Sequence, residues 1–296
     1  TLDEIRNFRQ LGSKTAGHPE YGHAAGIETT TGPLGQGMAN AVGLALGAKL
    51  LQAELGKDII NHKVYAIASD GDLMEGISQE VISLAGHLKL DNLVILYDDN
   101  QICIDGPTDL AFTDETPKRF EASHWFTITI DGHDPAAIHQ ALTQAQTAEK
   151  PVLIACKTKI GYGSPEKANT SAAHGSPLGA EETVSTRQNL NWLSAAFEIP
   201  EEILNAWRDA GQRTVKERQA WDMEFDRHPL KEAILRRLSR TLPKEASQKL
   251  AHLRKNLAES ELRQATRQLS QHILDEISIL MPELIGGSAD LTGSNN

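Results

Sequence analysis

The chain has 296 residues, with 40 acidic against 29 basic side chains and a net charge of −11 at pH 7. That length suits one large domain or two ordinary ones with a sizeable core. An acidic chain without a long Lys/Arg run excludes nucleic acid and membrane surfaces as its main partners. Hydrophobic residues make up 40% and charged residues 23%, the balance of an ordinary globular protein. Cys103 and Cys156 are the only cysteines, too few for a disulfide framework, which places the chain in a reducing compartment, the cytoplasm.

Thr29 to Ala48 carries no charge over 20 residues, the length of a membrane span. Its three Thr, five Gly, Gln36, Asn40 and Pro33 instead describe a glycine-rich loop entering a small-residue helix. The helical pattern runs from Gly37 to about Leu55, with Gly43 and Gly47 on one side. Such a face suits ordinary tight packing or the close approach of another backbone. Val64–Ala68 reads as a strand, Met74–Leu88 as a helix and Leu93–Tyr97 as a second strand bounded by Asp98-Asp99-Asn100. Phe126–Ile130 is a third strand. Asp134-Pro135 supplies an N-cap and a first-turn proline for a helix to about Glu149, and Val152–Ala155 is a fourth strand.

This alternation predicts a doubly wound, mostly parallel α/β sheet with helices on both faces. Ligands of such sheets sit beyond the carboxyl ends of the strands. Residues 160–179 form a polar loop too long for a plain connector. From Glu181 to about Leu280 the pattern is helical and charged, broken at Pro200, Pro229 and Pro243, with a boundary expected between about His228 and Lys244. Leu284-Ile285 is where a new strand is expected to begin.

The strongest chemical signal is Ser69-Asp70-Gly71-Asp72 after the first strand with Asp98-Asp99-Asn100 after the second. Asp70 and Asn100 lie 30 residues apart, one βαβ unit. A carboxylate, an amide oxygen and a loop carbonyl after Asn100 make an all-oxygen set suited to Mg²⁺ or Ca²⁺ bridged to a diphosphate. Gly71 lets backbone approach a phosphate at a helix start. The same residue types are also favoured in plain turns. Thr29-Thr30-Thr31-Gly32-Pro33-Leu34-Gly35-Gln36-Gly37 can present N–H groups to a phosphate or ring, or be a simple loop; no Walker lysine follows. Among eleven histidines, His18 and His174 stand in small-residue loops where an imidazole can do acid–base work. His133 reads as local structure, and both cysteines as core.

Taken in order, GPLGQG, SDGDLMEG, YDDN, CKTKIGYGSP, AHGSPLG and GGSADLTGSN resemble transketolase, over nearly the whole chain. The resemblance implies a thiamine diphosphate-binding fold, with residues 1–231 as an N-terminally incomplete diphosphate-binding domain, helical from about 181. Residues 232–296 would then be a helical linker and the start of a second, pyrimidine-binding α/β domain. It further implies that Asp70, Asn100 and the Ile102 carbonyl ligate Mg²⁺ or Ca²⁺. Gly71 and Asn100 would contact the diphosphate, Gly32, Pro33 and Leu34 would line the aminopyrimidine side, and Ile160 would pack near the cofactor. His174 would reach diphosphate and substrate, and His18 the sugars. Arg267 and Ser294 would hold the sugar phosphate. Asp290 and Glu75 would match acidic residues of a homodimer interface, Glu75 a buried one, with the active site between subunits.

The implied reaction moves a two-carbon ketol unit from a ketose phosphate to an aldose phosphate through a dihydroxyethyl unit on thiamine diphosphate, as in the pentose phosphate pathway. Three positions depart from the family pattern. Ser69 replaces glycine, Gln101 stands where glycine is common, and a second histidine is missing before His174. Thr1 is not a methionine, and upstream histidine segments and a downstream catalytic glutamate are not in the sequence. The expectation is therefore a fragment without ketol transfer on its own. A dihydroxyacetone synthase-like ketol transferase, a deoxyxylulose phosphate synthase and a non-catalytic thiamine diphosphate-binding subunit are the alternatives.

Overall fold

A computed structural model describes all residues except Glu261, Leu262, Ala289 and Asn296; Ala289 of the GGSADL motif therefore lies outside the described residues. The chain divides into two compact units, Thr1–Trp221 and Asp222–Asn296. The division falls within a helix, whereas the sequence places the boundary between about 228 and 244.

The first unit opens with α1 (Leu2–Arg6) and a long loop that leads into α2 (Gln36–Leu55). Strand β1 (Val64–Ser69) is followed by α3 (Asp70–Met74) and α4 (Gly76–His87), then β2 (Leu93–Asp99). A two-residue hairpin, β3 (Ile102–Cys103) and β4 (Gly106–Pro107), precedes α5 (Thr116–Ala122), β5 (Phe126–Asp131), α6 (Pro135–Gln146) and β6 (Val152–Lys157). The main sheet is parallel with strand order β1-β2-β6-β5, as the alternating pattern predicts. After the 158–179 loop come α7 (Ala180–Asn189), α8 (Glu201–Gln212) and α9 (Val215–Arg227), the helix in which the first unit ends.

The β2 run is apolar on both faces because both are covered. Leu93, Ile95 and Tyr97 face a core built with Met38, Ala41, Val42 and Ala45 of α2, Ile82 and Ala85 of α4, and Phe120 of α5. Val94 joins Ala141 and Ala145 of α6 on the opposite face. Each fully buried aliphatic side chain there contributes about 1.5–3 kcal/mol. Among the described residues no helix is long and apolar enough to cross a membrane; the uncharged run is the loop and helix that cover the sheet.

Three local differences from the sequence reading have physical causes. The expected Met74–Leu88 helix is α4 (Gly76–His87), and a separate short helix that the sequence pattern does not show, α3 (Asp70–Met74), precedes it because Glu75 is extended at φ −65°, ψ 143°. Free carbonyls at the end of α3 are taken by side chains: Ser78 Oγ donates to the Asp72 carbonyl and Gln79 Nε2 to the Leu73 carbonyl, both at 2.5 Å. Asp98 and Asp99 belong to β2 rather than to a turn, since β6 pairs alongside them and offers Lys157 and Thr158 as partners. Helix α5 is absent from the sequence reading. Its seven residues, about two turns, are held by the buried Phe120 ring, packed edge-on to Trp125 at 4.9 Å.

The second unit contains α10 (Lys231–Leu238), α11 (Lys244–Glu259), α12 (Thr266–Ile277) and α13 (Thr292–Asn295). Pro200 and Pro243 stand directly before α8 and α11, as residues that cannot continue a preceding helix. Ala246, Leu253 and Ile277 are buried where α11 and α12 meet, and Lys249 pairs with Glu276 at 2.6 Å. Leu284 and Ile285, where a strand is expected, lie in irregular, exposed backbone. Among the described residues of this unit there is no strand for them to pair with.

Candidate active site at the carboxyl ends of the strands

The paired strands β1 and β2 deliver Asp70 and Asn100 just past adjacent carboxyl ends. Asp70 is the first residue of α3 and is 8% exposed. Its Oδ1 accepts the Tyr97 hydroxyl, and its Oδ2 accepts the Gln101 N–H at 3.1 Å. Asn100 Oδ1 accepts the Ile102 N–H at 3.0 Å, and its Nδ2 donates to Asp98 Oδ2 at 3.3 Å. The turn after β2 is thus folded back on Asp70 and holds Asn100 and buried Ile102 beside it. Burial raises the Asp70 pKa above the ordinary carboxylate value, and the charges of Asp99 and Asp98 add to this, against the hydrogen bonds from Tyr97 and Gln101. Burial and the neighbouring Asp70 push the Tyr97 phenol upward, so it stays a donor.

The glycine loop lies on this corner. Leu34 covers Gly71, where an added Cβ would sit 3.4 Å from Leu34 Cδ1. Gly35 is left-handed at φ 77°, and its N–H donates to Asp72 Oδ1 at 2.9 Å. Gly32, at φ 119°, touches His18: an added Cβ would lie 2.5 Å from His18 Cγ. The two loops are also joined by Tyr21 N–H to Thr30 Oγ1 at 2.9 Å and Thr31 N–H to the Pro19 carbonyl at 3.3 Å. His18 Nδ1 stands 3.0 Å from Glu20 Oε1. Sequence positions 18, 32–34 and 70–71 therefore form one continuous surface.

A third strand end completes the row. Thr158, just past β6, donates its hydroxyl to Asp98, which places the following loop next to Asn100. That loop closes one side of a cavity of about 500 Å³ lined by Ile67, Leu96, Asp98, His133, Cys156 and Ile160. Gly161, at φ 65°, packs on Ala173, and Asn169 N–H donates to the Ile160 carbonyl at 2.9 Å. His174, at the end of a short 3-10 turn (Ser171–Ala173), is thereby carried on the same loop as Ile160.

Other expected residues stand on other elements. Arg267 is exposed in the first turn of α12, Ser294 is in α13, and Asp290 precedes α13 at φ 114°; all three belong to the second unit. Glu75 is exposed in the single chain. Cys103 and Cys156 are half-buried rather than core, and burial raises both thiol pKa values.

Two participants escape the sequence reading. Asp72 binds Gly35 and Ser69 at once, and its signal is the Ser-x-x-Asp capping pattern before a helix. His133 Nε2 accepts the Lys159 N–H at 2.9 Å while its ring stacks on Tyr162 at 4.2 Å, so it anchors the Ile160 loop. Nothing in the sequence spacing signals that role, because His133 and Lys159 are joined only by the β5–β6 pairing.

Among the described residues there is no cluster of three or more His, Cys, Asp or Glu side chains able to hold a metal. The Asp70 carboxylate and the Asn100 amide oxygen are hard oxygen donors of the type that suits Mg²⁺ or Ca²⁺ when a phosphorylated ligand completes the shell. The fold defines the class: a parallel α/β domain whose polar turn residues gather at the carboxyl ends of its strands.

The family profile described as "Transketolase, thiamine diphosphate binding domain" matches residues 1–246. The chain belongs to this family. Transketolase 2 of Escherichia coli (strain K12) is 50% identical over 304 residues, covering 99% of this chain and 45% of its own length. Transketolase of Rhodobacter capsulatus is 46% identical over 297 residues, covering 100% of this chain and 44% of its own length. Among solved structures, transketolase from Campylobacter jejuni superposes with a TM-score of 0.87 at 38% identity. The alignment covers 100% of this chain and 45% of that one. A Pichia stipitis transketolase in complex with sedoheptulose 7-phosphate gives 0.90 at 36%, with the same coverage. The chain spans about half the length of the relatives it matches.

Proposed function

We propose that this chain provides the diphosphate- and cation-binding part of a transketolase that transfers a two-carbon ketol unit from a ketose phosphate to an aldose phosphate. The observation that carries the reading is the folding of Gln101 onto Asp70, which sets Asn100 and Ile102 beside that carboxylate at two paired strand ends. In this reading Asp70, Asn100 Oδ1 and the Ile102 carbonyl ligate Mg²⁺, and Gly71 gives the diphosphate close access to the start of α3. Gly32, Pro33 and Leu34 line the ring side of thiamine diphosphate, and Ile160 packs near it. Thiamine diphosphate supplies the electron sink for carbon–carbon bond cleavage.

The protein's share is anchoring, orientation and proton transfer. His18 and His174 hold the sugar hydroxyls and move protons at the substrate oxygens. Arg267 and Ser294 hold the sugar phosphate, the guanidinium by paired hydrogen bonds. Asp290 belongs to the cofactor side in a homodimer whose active site lies between subunits. Residues 1–231 constitute the diphosphate-binding domain, and 232–296 the linker and the start of the next. The unpaired Cys103 and Cys156 suit a cytoplasmic enzyme.

Calorimetric titration of the chain with thiamine diphosphate, with and without Mg²⁺, tests the reading. Binding that requires the metal and is lost in Asp70→Asn is expected. Metal-independent binding, or none with metal present, overturns it.

A further inference from the structure

The Asp70 carboxylate is gripped from two sides, by the Tyr97 hydroxyl on Oδ1 and the Gln101 N–H on Oδ2. Tyr97 is 5% exposed, on the central strand β2, paired in register with Ala68. Its oxygen lies near the side chain of Thr116, a residue 6% exposed at the start of α5. The phenol is therefore fixed by its strand and by the core around its ring, and it fixes the carboxylate in turn. Family resemblance assigns no role to Tyr97 or Thr116, and the ketol-transfer reading does not use them.

We propose that Tyr97 is a positioning residue that locks the Asp70 carboxylate in one orientation and so makes the site favour Mg²⁺ over Ca²⁺. This rests on Asp70 being a cation ligand, as argued above. Mg²⁺ requires near-octahedral geometry at roughly 2.0–2.1 Å, while Ca²⁺ accepts six to eight oxygens in flexible arrangements. A carboxylate with a donor on each oxygen cannot turn or shift toward a larger ion without losing one of them. Freed from Tyr97, it can adapt, which suits Ca²⁺ and costs Mg²⁺. Outer hydrogen bonds of this kind change metal affinity by about 10–100-fold.

The test is calorimetric titration of the full chain with Mg²⁺ and with Ca²⁺ at saturating thiamine diphosphate, for wild type, Tyr97→Phe, Thr116→Val and Asp70→Asn. Tyr97→Phe is expected to weaken Mg²⁺ by about 10-fold or more and Ca²⁺ by less than about 3-fold. Thr116→Val, which keeps the phenol but removes a polar neighbour of its oxygen, is expected to shift the ratio the same way by less. An unchanged Mg²⁺-to-Ca²⁺ ratio in Tyr97→Phe overturns the proposal even if the melting temperature falls, because general destabilisation weakens both ions alike. Should Tyr97→Phe not fold, the ratio in Thr116→Val decides. Asp70→Asn separates the premise: wild-type binding of both ions there removes Asp70 as a ligand. Loss of both ions in Asp70→Asn, with a wild-type ratio in Tyr97→Phe, leaves the ligand in place and removes the positioning role.

Discussion

The Gly35 N–H donates to Asp72 Oδ1 at 2.9 Å, across 37 positions of sequence. The other oxygen of that carboxylate accepts the Ser69 N–H at 2.9 Å and the Ser69 hydroxyl at 2.8 Å. One side chain therefore fastens the glycine loop to the end of β1, next to Asp70. Ser69, which departs from the family glycine, sits at φ −103°, ψ 175°, an extended conformation open to any residue. Its hydroxyl adds a bond that glycine lacks.

Asp72→Ala strands the Gly35 and Ser69 N–H groups in a half-buried corner. Each unsatisfied donor costs about 1–3 kcal/mol, so urea unfolding should show a loss in that range or above. Thiamine diphosphate affinity should fall with it, because the loop is no longer held. Ser69→Gly, by contrast, removes a single hydroxyl bond and should leave cofactor affinity unchanged. Equal loss of cofactor binding in the two variants contradicts this division.

Gly32→Ala places a methyl where the His18 ring now stands, at a backbone φ of 119° that side chains rarely adopt. Both effects act together, and a destabilisation of about 1–3 kcal/mol is expected. The sharper readout is the His18 imidazole resonance. It should shift in Gly32→Ala while the resonance of His133, anchored on another loop, stays in place.

Gln101 holds a left-handed φ of 61°. A non-glycine residue there costs about 1–2 kcal/mol, and its useful group is the backbone N–H to Asp70. Gln101→Gly keeps that N–H and should raise stability by about 1 kcal/mol in denaturant unfolding, with Mg²⁺ affinity unchanged.

Glu283, in the second unit, accepts from Arg236 at 2.7 Å and lies 3.6 Å from Arg237. Burial opposes its ionisation, but a backbone hydrogen bond and the two arginine charges outweigh that and hold its pKa below the ordinary glutamate value. A depressed folded pKa means the contribution is complete above the unfolded glutamate pKa and disappears as pH falls through the lowered folded value. Acid titration of the wild type should show that loss. In Glu283→Gln the melting temperature at neutral pH should be lower and its decline over the same acid window flatter.

Apolar runs and their spacing made the parallel sheet legible, since strands buried on both faces leave near-continuous Val/Ile/Leu segments. Asp134-Pro135 marked a helix start that the structure keeps, with Asp134 accepting the Ala136 N–H at 2.8 Å. Asp70 and Asn100 were legible because each follows a strand by fixed chain geometry. The separate helix α3 before Glu75 was hidden, because side chains of Ser78 and Gln79 end it by taking carbonyls that a continuous helix would use. Helix α5 was hidden because seven residues are too few for a periodic signal, and its seat is the packing of Phe120 edge-on to Trp125.

Sequence alone determined the sheet class, the family motifs and which oxygens stand near the strand ends, since these depend on local pattern and on residue type. Tertiary structure alone decided that His18 meets Gly32, that Asp72 fastens the glycine loop and that Tyr97 grips Asp70. Each of those contacts joins segments distant in the chain, and their geometry is set by strand register and close packing, which no single stretch of sequence encodes.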